Sequence, residues 1–171
     1  KKMTHICATI LILCNTFTVY FNDKRDYFVQ DITECVIAYN TSYTEPSLRI
    51  PIKLVTAIAA LESGWGTSRF AREGNNYFGM QSSSEDVDKY IVPLNNHKLK
   101  IKKYYNTCES VNDFMDIMSQ SRLYKGFQKE LINQWISDEI SYIKLVYTMP
   151  RYSRDTGWEV KVLSIINQME D

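Results

Sequence analysis

The sequence predicts an α+β domain that is mainly α, in which a small β-hairpin lobe stands beside a helical lobe. Helical periodicity covers most of the chain after residue 23, and one stretch between residues 82 and 105 alternates instead. The 171 residues show no internal repeat and no low-complexity linker, which indicates one domain after the N-terminal segment. A hairpin lobe beside helices leaves a cleft, and clefts usually hold ligand sites.

Residues 1–22 form a separate segment. Lys1 and Lys2 precede an apolar stretch over residues 6–21, which is short for a bilayer span of about 20 apolar residues. This pattern predicts a signal peptide or a membrane-anchor-like segment, and therefore export to the periplasm, cell envelope or extracellular space. Any membrane association of the protein would then be made by this segment. A buried N-terminal strand or helix is the alternative, since its last residues favour β-structure.

The domain is predicted to span residues 23–171. Its first helix is predicted to begin at residue 24. Its apolar positions recur at three- and four-residue steps and should face the core: Phe28, Ile32, Cys35, Val36 and Tyr39. A polar loop with two prolines follows over residues 43–51. Pro51 suits the first turn of a second helix, which runs to Glu62.

The alternating stretch predicts a β-hairpin in the middle of the chain. Asn95 and Asn96 form the predicted turn, and Pro93 favours an edge position. The alternating apolar positions are Tyr90, Val92 and Leu94 in the first strand and Leu99 and Ile101 in the second.

Helical periodicity returns after the hairpin. Asn106 and Glu109 have capping-box spacing, and one apolar stripe follows them: Val111, Phe114, Met115 and Met118. Two short helices divided near residues 137–138 come next. Thr156 and Glu159 are predicted to cap a last helix with one buried face: Trp158, Val162, Ile165, Ile166 and Met169.

Charge and cysteine content exclude some classes of function. The chain has 20 basic and 20 acidic residues, so no overall basic field attracts nucleic acid, and no nucleic-acid partner is expected. Four cysteines without CxxC spacing and two histidines predict no metal site, and nothing indicates a cofactor. Cys35 and Cys108 could form a disulfide in an exported protein, but three full pairings exist and free buried thiols are equally compatible. We expect a monomer.

Glu62 occupies an unusual position for a glutamate at a helix end. On a helical wheel it lies within the apolar face of the second helix, whereas Lys53, Thr56 and Ala60 lie opposite. Desolvation by apolar neighbours raises a carboxyl pKa, which favours a proton donor at neutral pH. Gly64 follows and allows the chain to turn sharply, so that a ligand can approach the carboxyl.

Glu62 has a plainer interpretation, in which it is partly buried and paired with Arg69 or Arg72. The nearby "GNNYFG" combines two amides, Asn75 and Asn76, with two aromatic residues, which suits a sugar or amide substrate. Its alternative is an asparagine-rich turn whose aromatic residues, Tyr77 and Phe78, belong to the core.

The segment "AIAALESGWGTSRFAREGNNYFGM" closely resembles the signature of the bacterial glucosaminidase family, glycoside hydrolase family 73, in the lysozyme superfamily. Looser similarity continues through "YYNTCESVNDFMDIM" and "PRYSRDTGWEVKVLSII", so that the resemblance covers roughly residues 24–166. It implies a lysozyme-like helical lobe with a β-hairpin flap over a glycan-binding cleft. It also implies cleavage of peptidoglycan glycan strands at N-acetylglucosaminyl β-1,4 bonds.

The resemblance further implies roles for individual residues. Glu62 would be the general acid, and Tyr152 would line the catalytic centre. The second acid would come from the hairpin region, where Asp88 is preferred over Glu85 and Asp86, and the substrate's own acetamido group is the remaining alternative. A lytic transglycosylase using the same glutamate, or an inactive glycan-binding module, would be compatible with the motif. The expected substrate-binding residues are Trp65, Asn75, Asn76, Tyr77 and Phe78.

Overall fold

The computed structural model describes residues 24–42, 45–149, 152–153 and 155–169. The prediction made for residues 1–22 lies outside these ranges and stays a prediction. Within them, no helix combines the length and the apolar character needed to cross a bilayer. The described helices and strands, in chain order, are α1 (Lys24–Ser42), α2 (Ile52–Ser63), α3 (Arg69–Gly74), β1 (Tyr90–Ile91), β2 (Ile101–Lys102), α4 (Thr107–Gln120), α5 (Lys125–Ser137), α6 (Tyr142–Tyr147) and α7 (Trp158–Gln168).

Helix α1 buries the five apolar positions that the sequence predicts for its core face. It packs against α2 and α4, and a disulfide between Cys35 and Cys108 joins it to the first turn of α4. The Cα atoms of the two cysteines are 4.9 Å apart. The choice between a disulfide and free thiols, which the sequence leaves open, is therefore decided for this pair.

Helix α2 is enclosed on almost every side. Thr56 and Ala60, expected on its solvent face, are both buried, because α1 packs on one side of the helix and α7 on another. The buried hydroxyl of Thr56 donates to the carbonyl of Ile52 at 2.9 Å, so its burial leaves no unpaired polar atom. Pro51 is the N-cap and lies just before the first turn, and its carbonyl accepts the first helical hydrogen bonds.

The hairpin is present but shorter than predicted. Strands β1 and β2 are antiparallel, with Tyr90 opposite Lys102 and Ile91 opposite Ile101. On the other side of β2, the Lys102 amide donates to the carbonyl of Met80 at 2.9 Å. The small lobe is therefore a pair of two-residue strands with a flanking extended segment, and it packs next to α3.

The predicted alternation in the first strand has the wrong phase. Ile91 and Pro93 are buried, whereas Leu94 is 82% exposed. Gly74 at the end of α3 explains this phase, because a Cβ added there would lie 2.8 Å from the Cδ1 atom of Ile91. The isoleucine packs directly on the bare glycine backbone. The chain between the strands forms two turns near residues 94–95 and 97–98 rather than a tight turn at Asn95-Asn96.

The boundaries of the later helices are confirmed in two places and wrong in a third. Asn106 caps α4 by accepting from the Glu109 amide at 2.9 Å. Asp138, at φ +54°, separates α5 from α6. The predicted Thr156 cap of α7 is wrong: Gly157, at φ +103°, is the N-cap and supplies no side-chain hydrogen bond. Glycine adopts this backbone conformation without the penalty that a side chain would bring.

Candidate active site

The end of α2 is held in a fixed geometry by its own backbone. Gly64 is in the left-handed conformation and donates its N–H to the carbonyl of Ala60, and Trp65 and Gly66 also have positive φ. The buried hydroxyl of Ser63 donates to a helix carbonyl at 2.6 Å and accepts from the Gly66 amide at 2.8 Å. These bonds pair groups that a helix end otherwise leaves free. Glu62 is thus half-buried on a rigid helix terminus.

The partner of Glu62 is an indole. Trp158 donates from its Nε1–H to Oε1 of Glu62 at 2.7 Å. Neither arginine of the plainer interpretation takes this place, since Arg69 pairs with Glu73 at 2.9 Å and Arg72 is exposed. The sequence predicts Trp158 only as a core residue of α7, although a buried tryptophan N–H usually needs an acceptor.

Three effects set the protonation of Glu62. Burial raises its pKa most strongly, the hydrogen bond from Trp158 lowers it, and the nearby carboxylate of Asp155 raises it again. The net result is a raised pKa, because the first effect is the largest. Asp155 forms an ion pair with Lys161, whose charge stays close to that carboxylate. Compared with a solvated glutamate, Glu62 therefore favours its neutral form.

Tyr152 is brought to the same site across 90 positions of sequence. Its hydroxyl donates to the carbonyl of Phe78 at 3.0 Å, and its ring centroid lies 5.0 Å from that of Trp158. Burial raises the pKa of Tyr152 well above its ordinary value, and the charge of Glu62 adds to this effect. The hydroxyl is therefore neutral near pH 7. The pair of Glu62 and Tyr152 that the resemblance implies lies in one cluster.

The second carboxyl oxygen of Glu62 is next to a glycine. A Cβ added at Gly79 would stand 3.9 Å from Oε2 of Glu62. Gly79 has φ +70°, so a side chain there would be strained as well as close. Gly79 places no side chain of its own beside Oε2.

Two residues expected to bind substrate hold the loop between α3 and the hairpin lobe. The Asn76 side chain is 2% exposed and donates to the carbonyls of Met80 at 2.9 Å and Lys102 at 2.8 Å. Its Oδ1 accepts from the amides of Phe78 and Met80. Asn75, in the left-handed conformation at the end of α3, donates to the carbonyls of residues 104 and 105.

The aromatic residues of this loop separate into different environments. Phe78 is 3% exposed and stacks on Phe114, with ring centroids 4.2 Å apart. Tyr77 and Trp65 line a cavity of about 810 Å³ beside the first half of α1, and Glu62 is not among its lining residues. The Arg25 guanidinium lies 4.8 Å above the Trp65 ring. The substrate-binding role expected for these residues stays a prediction.

The hairpin acids form a separate, exposed group. Glu85 pairs with Lys100 at 2.8 Å, and Asp86 accepts from the Asp88 amide at 3.1 Å. Asp88 lies in the short 3₁₀ turn Val87–Lys89 before β1 and is exposed. The described contacts of Glu62 involve residues of the C-terminal segment and not these three acids. Among the described residues no cluster of His, Cys, Asp and Glu could hold a metal ion.

The half-buried Glu62, whose pKa is raised at a helix end, is the kind of carboxyl that can serve as a general acid in a glycoside hydrolase. The family model described as mannosyl-glycoprotein endo-β-N-acetylglucosaminidase matches residues 24–171. The chain therefore belongs to the glucosaminidase family of glycoside hydrolases.

One curated relative matches part of the chain. Protein bax of Escherichia coli K12 is 31% identical over 108 residues, which are 61% of this chain and 37% of that protein. The chain thus matches little more than a third of the length of this curated relative.

Solved structures show the same fold. The catalytic domain of the autolysin Auto from Listeria monocytogenes has a TM-score of 0.63 at 20% identity, covering 86% of this chain and 85% of that one. A peptidoglycan hydrolase from Sphingomonas sp. A1 has a TM-score of 0.61 at 19% identity, covering 82% and 86%.

Proposed function

We propose that this domain hydrolyses the glycan strands of bacterial peptidoglycan at N-acetylglucosaminyl β-1,4 bonds, with Glu62 as general acid. The observation that carries the proposal is the setting of Glu62: half-buried, raised in pKa, and held by Trp158 beside Tyr152. The similarity to a protein described as a peptidoglycan hydrolase supports the choice of substrate. Action on this polymer would take place in the cell envelope or outside the cell.

The neutral carboxyl of Glu62 protonates the glycosidic oxygen as the bond to the anomeric carbon breaks. A general acid must keep its proton near the working pH, and burial at the end of α2 supports this requirement. Glu62 becomes a carboxylate in the same step, and the indole N–H of Trp158 stabilises the new charge.

In an inverting reaction water attacks the opposite face of the sugar in the same step, and Asp88 is our proposed base, which takes the proton of that water. Its exposed place before β1, on the hairpin lobe, leaves its carboxylate accessible. An inverting reaction needs about 6.5 to 9.5 Å between the two carboxyl groups when substrate is bound. The alternative route uses the acetamido group of the substrate, with Tyr152 beside Glu62 to orient it.

Replacing Glu62 by Gln tests the proposal. The amide has nearly the same shape and still accepts from Trp158, but it cannot donate the acidic proton, so cleavage of purified peptidoglycan should fall by at least 10²-fold. Circular dichroism should show an unchanged fold. Retained cleavage by this variant would remove the assignment of Glu62, and no clearing of cell-wall material by the wild type would favour a glycan-binding module.

Asp88→Asn and the products of the wild type decide how the reaction is completed. If Asp88 is the base, its loss should lower kcat by about 10²-fold, with Asp86→Asn as the matched control that stays near wild type. Full activity of Asp88→Asn would remove Asp88 as the base and leave Glu85, Asp86 or the acetamido group of the substrate. Mass spectrometry of the released fragments separates hydrolysis from transglycosylation, since only the latter leaves anhydro-sugar ends.

A further inference from the structure

We propose that Trp158 is a positioning residue that decides which oxygen of Glu62 delivers the proton. Its indole holds Oε1 as a hydrogen-bond acceptor, and the acidic hydrogen is left on Oε2, the oxygen next to Gly79. This inference rests on the proposed role of Glu62 as general acid, and it adds a specific orientation to that role.

The chemistry of the indole carries the first step. Tryptophan Nε1–H is a donor with no acceptor capacity. At 2.7 Å it requires an acceptor lone pair on Oε1 of Glu62, and in a neutral carboxyl the carbonyl oxygen is a better acceptor than the hydroxyl oxygen. The hydrogen bond therefore favours the form of the neutral carboxyl that carries its hydrogen on Oε2, which makes Oε2 the donor to the glycosidic oxygen.

The indole is held firmly enough to impose this choice. Trp158 is 3% exposed, its ring packs on that of Tyr152, and its own amide donates to the carbonyl of Asp155 at 3.3 Å. It is the first residue of α7, which packs directly on α2, the helix whose last turn carries Glu62. The two partners are 96 residues apart in sequence but lie on two helices fixed against each other.

The other groups around Glu62 do not compete for this role. Tyr152 commits its hydroxyl hydrogen to the carbonyl of Phe78, and Asp155 is an acceptor already paired with Lys161. Gly79 presents no side chain to Oε2. Trp158 is thus the described donor that makes the two oxygens of Glu62 different.

Nuclear magnetic resonance tests the hydrogen bond without reference to activity. The chain has three tryptophans, so a ¹⁵N-labelled sample gives three indole N–H signals. The Trp158 signal should shift as Glu62 titrates, at a pH above the ordinary glutamate value, and this shift should vanish in Glu62→Gln. The signal of Trp135, exposed on α5, is the internal control and should stay constant through that range. A Trp158 signal that does not titrate would overturn the proposal.

Kinetics of Trp158→Phe test the consequence. Phenylalanine keeps an aromatic ring but removes the donor, so the carboxyl loses its fixed orientation and kcat should fall about tenfold or more. The hydrogen bond lowers the pKa of Glu62, and its loss should raise that pKa. The general acid must be protonated, so the high-pH limb of the activity profile should move to higher pH. Trp135→Phe is the matched control and should change neither quantity.

The outcomes separate this inference from the proposed function. If Glu62→Gln still cleaves peptidoglycan, the function itself is wrong. If Glu62→Gln is inactive but Trp158→Phe keeps the wild-type kcat and pH limb, the positioning role alone is wrong. A role in stability only would lower the unfolding midpoint of Trp158→Phe without raising the high-pH limb. If Trp158→Phe does not fold, the titration of the Trp158 indole signal in the wild type decides whether the proposed hydrogen bond to Glu62 exists.

Discussion

Two opposing effects act on the pKa of the Glu62 carboxyl. Burial removes water and favours the neutral acid, whereas the indole N–H favours the anion, and burial is the stronger of the two. The hydrogen bond thus lowers the raised pKa of Glu62 somewhat, and it also fixes the orientation of the carboxyl. A proton donor needs both properties, because a correctly protonated group that points elsewhere contributes little.

A substitution at Gly79 tests whether activity requires free space beside Oε2 of Glu62. In Gly79→Ala a methyl group would stand 3.9 Å from Oε2, so we expect kcat to fall about tenfold or more as the approach of the sugar oxygen is crowded. The positive φ adds about 1 kcal/mol of strain. Steady-state cleavage of peptidoglycan and urea unfolding measure the two effects.

Gly64→Ala is the matched control for this change. It has a similar left-handed backbone, with φ +58°, but its added Cβ would meet the hydroxyl of Thr67 at 3.3 Å instead of Glu62. It should lose at least as much stability, because its added Cβ makes the tighter contact, and keep more of its kcat than Gly79→Ala. Equal kcat values for the two variants would contradict the idea that Gly79 keeps Oε2 accessible.

At the scale of elements, the loop between α3 and the hairpin depends on one buried amide. Asn76 makes four hydrogen bonds to backbone groups, including the carbonyl of Lys102 on β2. Asn76→Ala leaves these groups buried without a partner, so unfolding by urea should show a loss of about 3 kcal/mol. Asn96→Ala, in the exposed position between the two turns of the hairpin lobe, should stay within about 0.5 kcal/mol of wild type. Equal stability of the two variants would show that this amide does not hold the loop.

The elements also differ in how far sequence pattern predicts them. Helix α1 has the predicted core face because its helical periodicity spans five turns and outweighs local detail. The hairpin has the wrong phase because its strands are two residues long, too short for alternation to fix which side faces the core. In the hairpin, the contact between Ile91 and Gly74 determines which side of β1 faces the core. The two residues are 17 positions apart, and no local sequence pattern connects them.

At the scale of the whole molecule, the disulfide links the first described helix to the helix after the hairpin. Cys35 and Cys108 are separated by 73 positions, so the bond restricts a long loop in the unfolded chain. Cys35→Ala combined with Cys108→Ala should lower the free energy of unfolding by about 2–5 kcal/mol. Reductant should lower the urea midpoint of the wild type and leave that of the double variant unchanged. An unaffected wild-type midpoint would contradict a stabilising role for this bond.

The sequence by itself determined the mainly helical class, the core face of α1, the break at Asp138 and the motif that carries Glu62. These features depend on neighbours within a few residues, where periodicity, capping and glycine act directly. Tertiary structure alone decided that the partner of Glu62 is Trp158 and not an arginine, that Asn76 is committed to the loop, and that Cys35 meets Cys108. Each of these contacts depends on how elements distant in sequence pack in space, and the spacing of residues along the chain does not predict that packing.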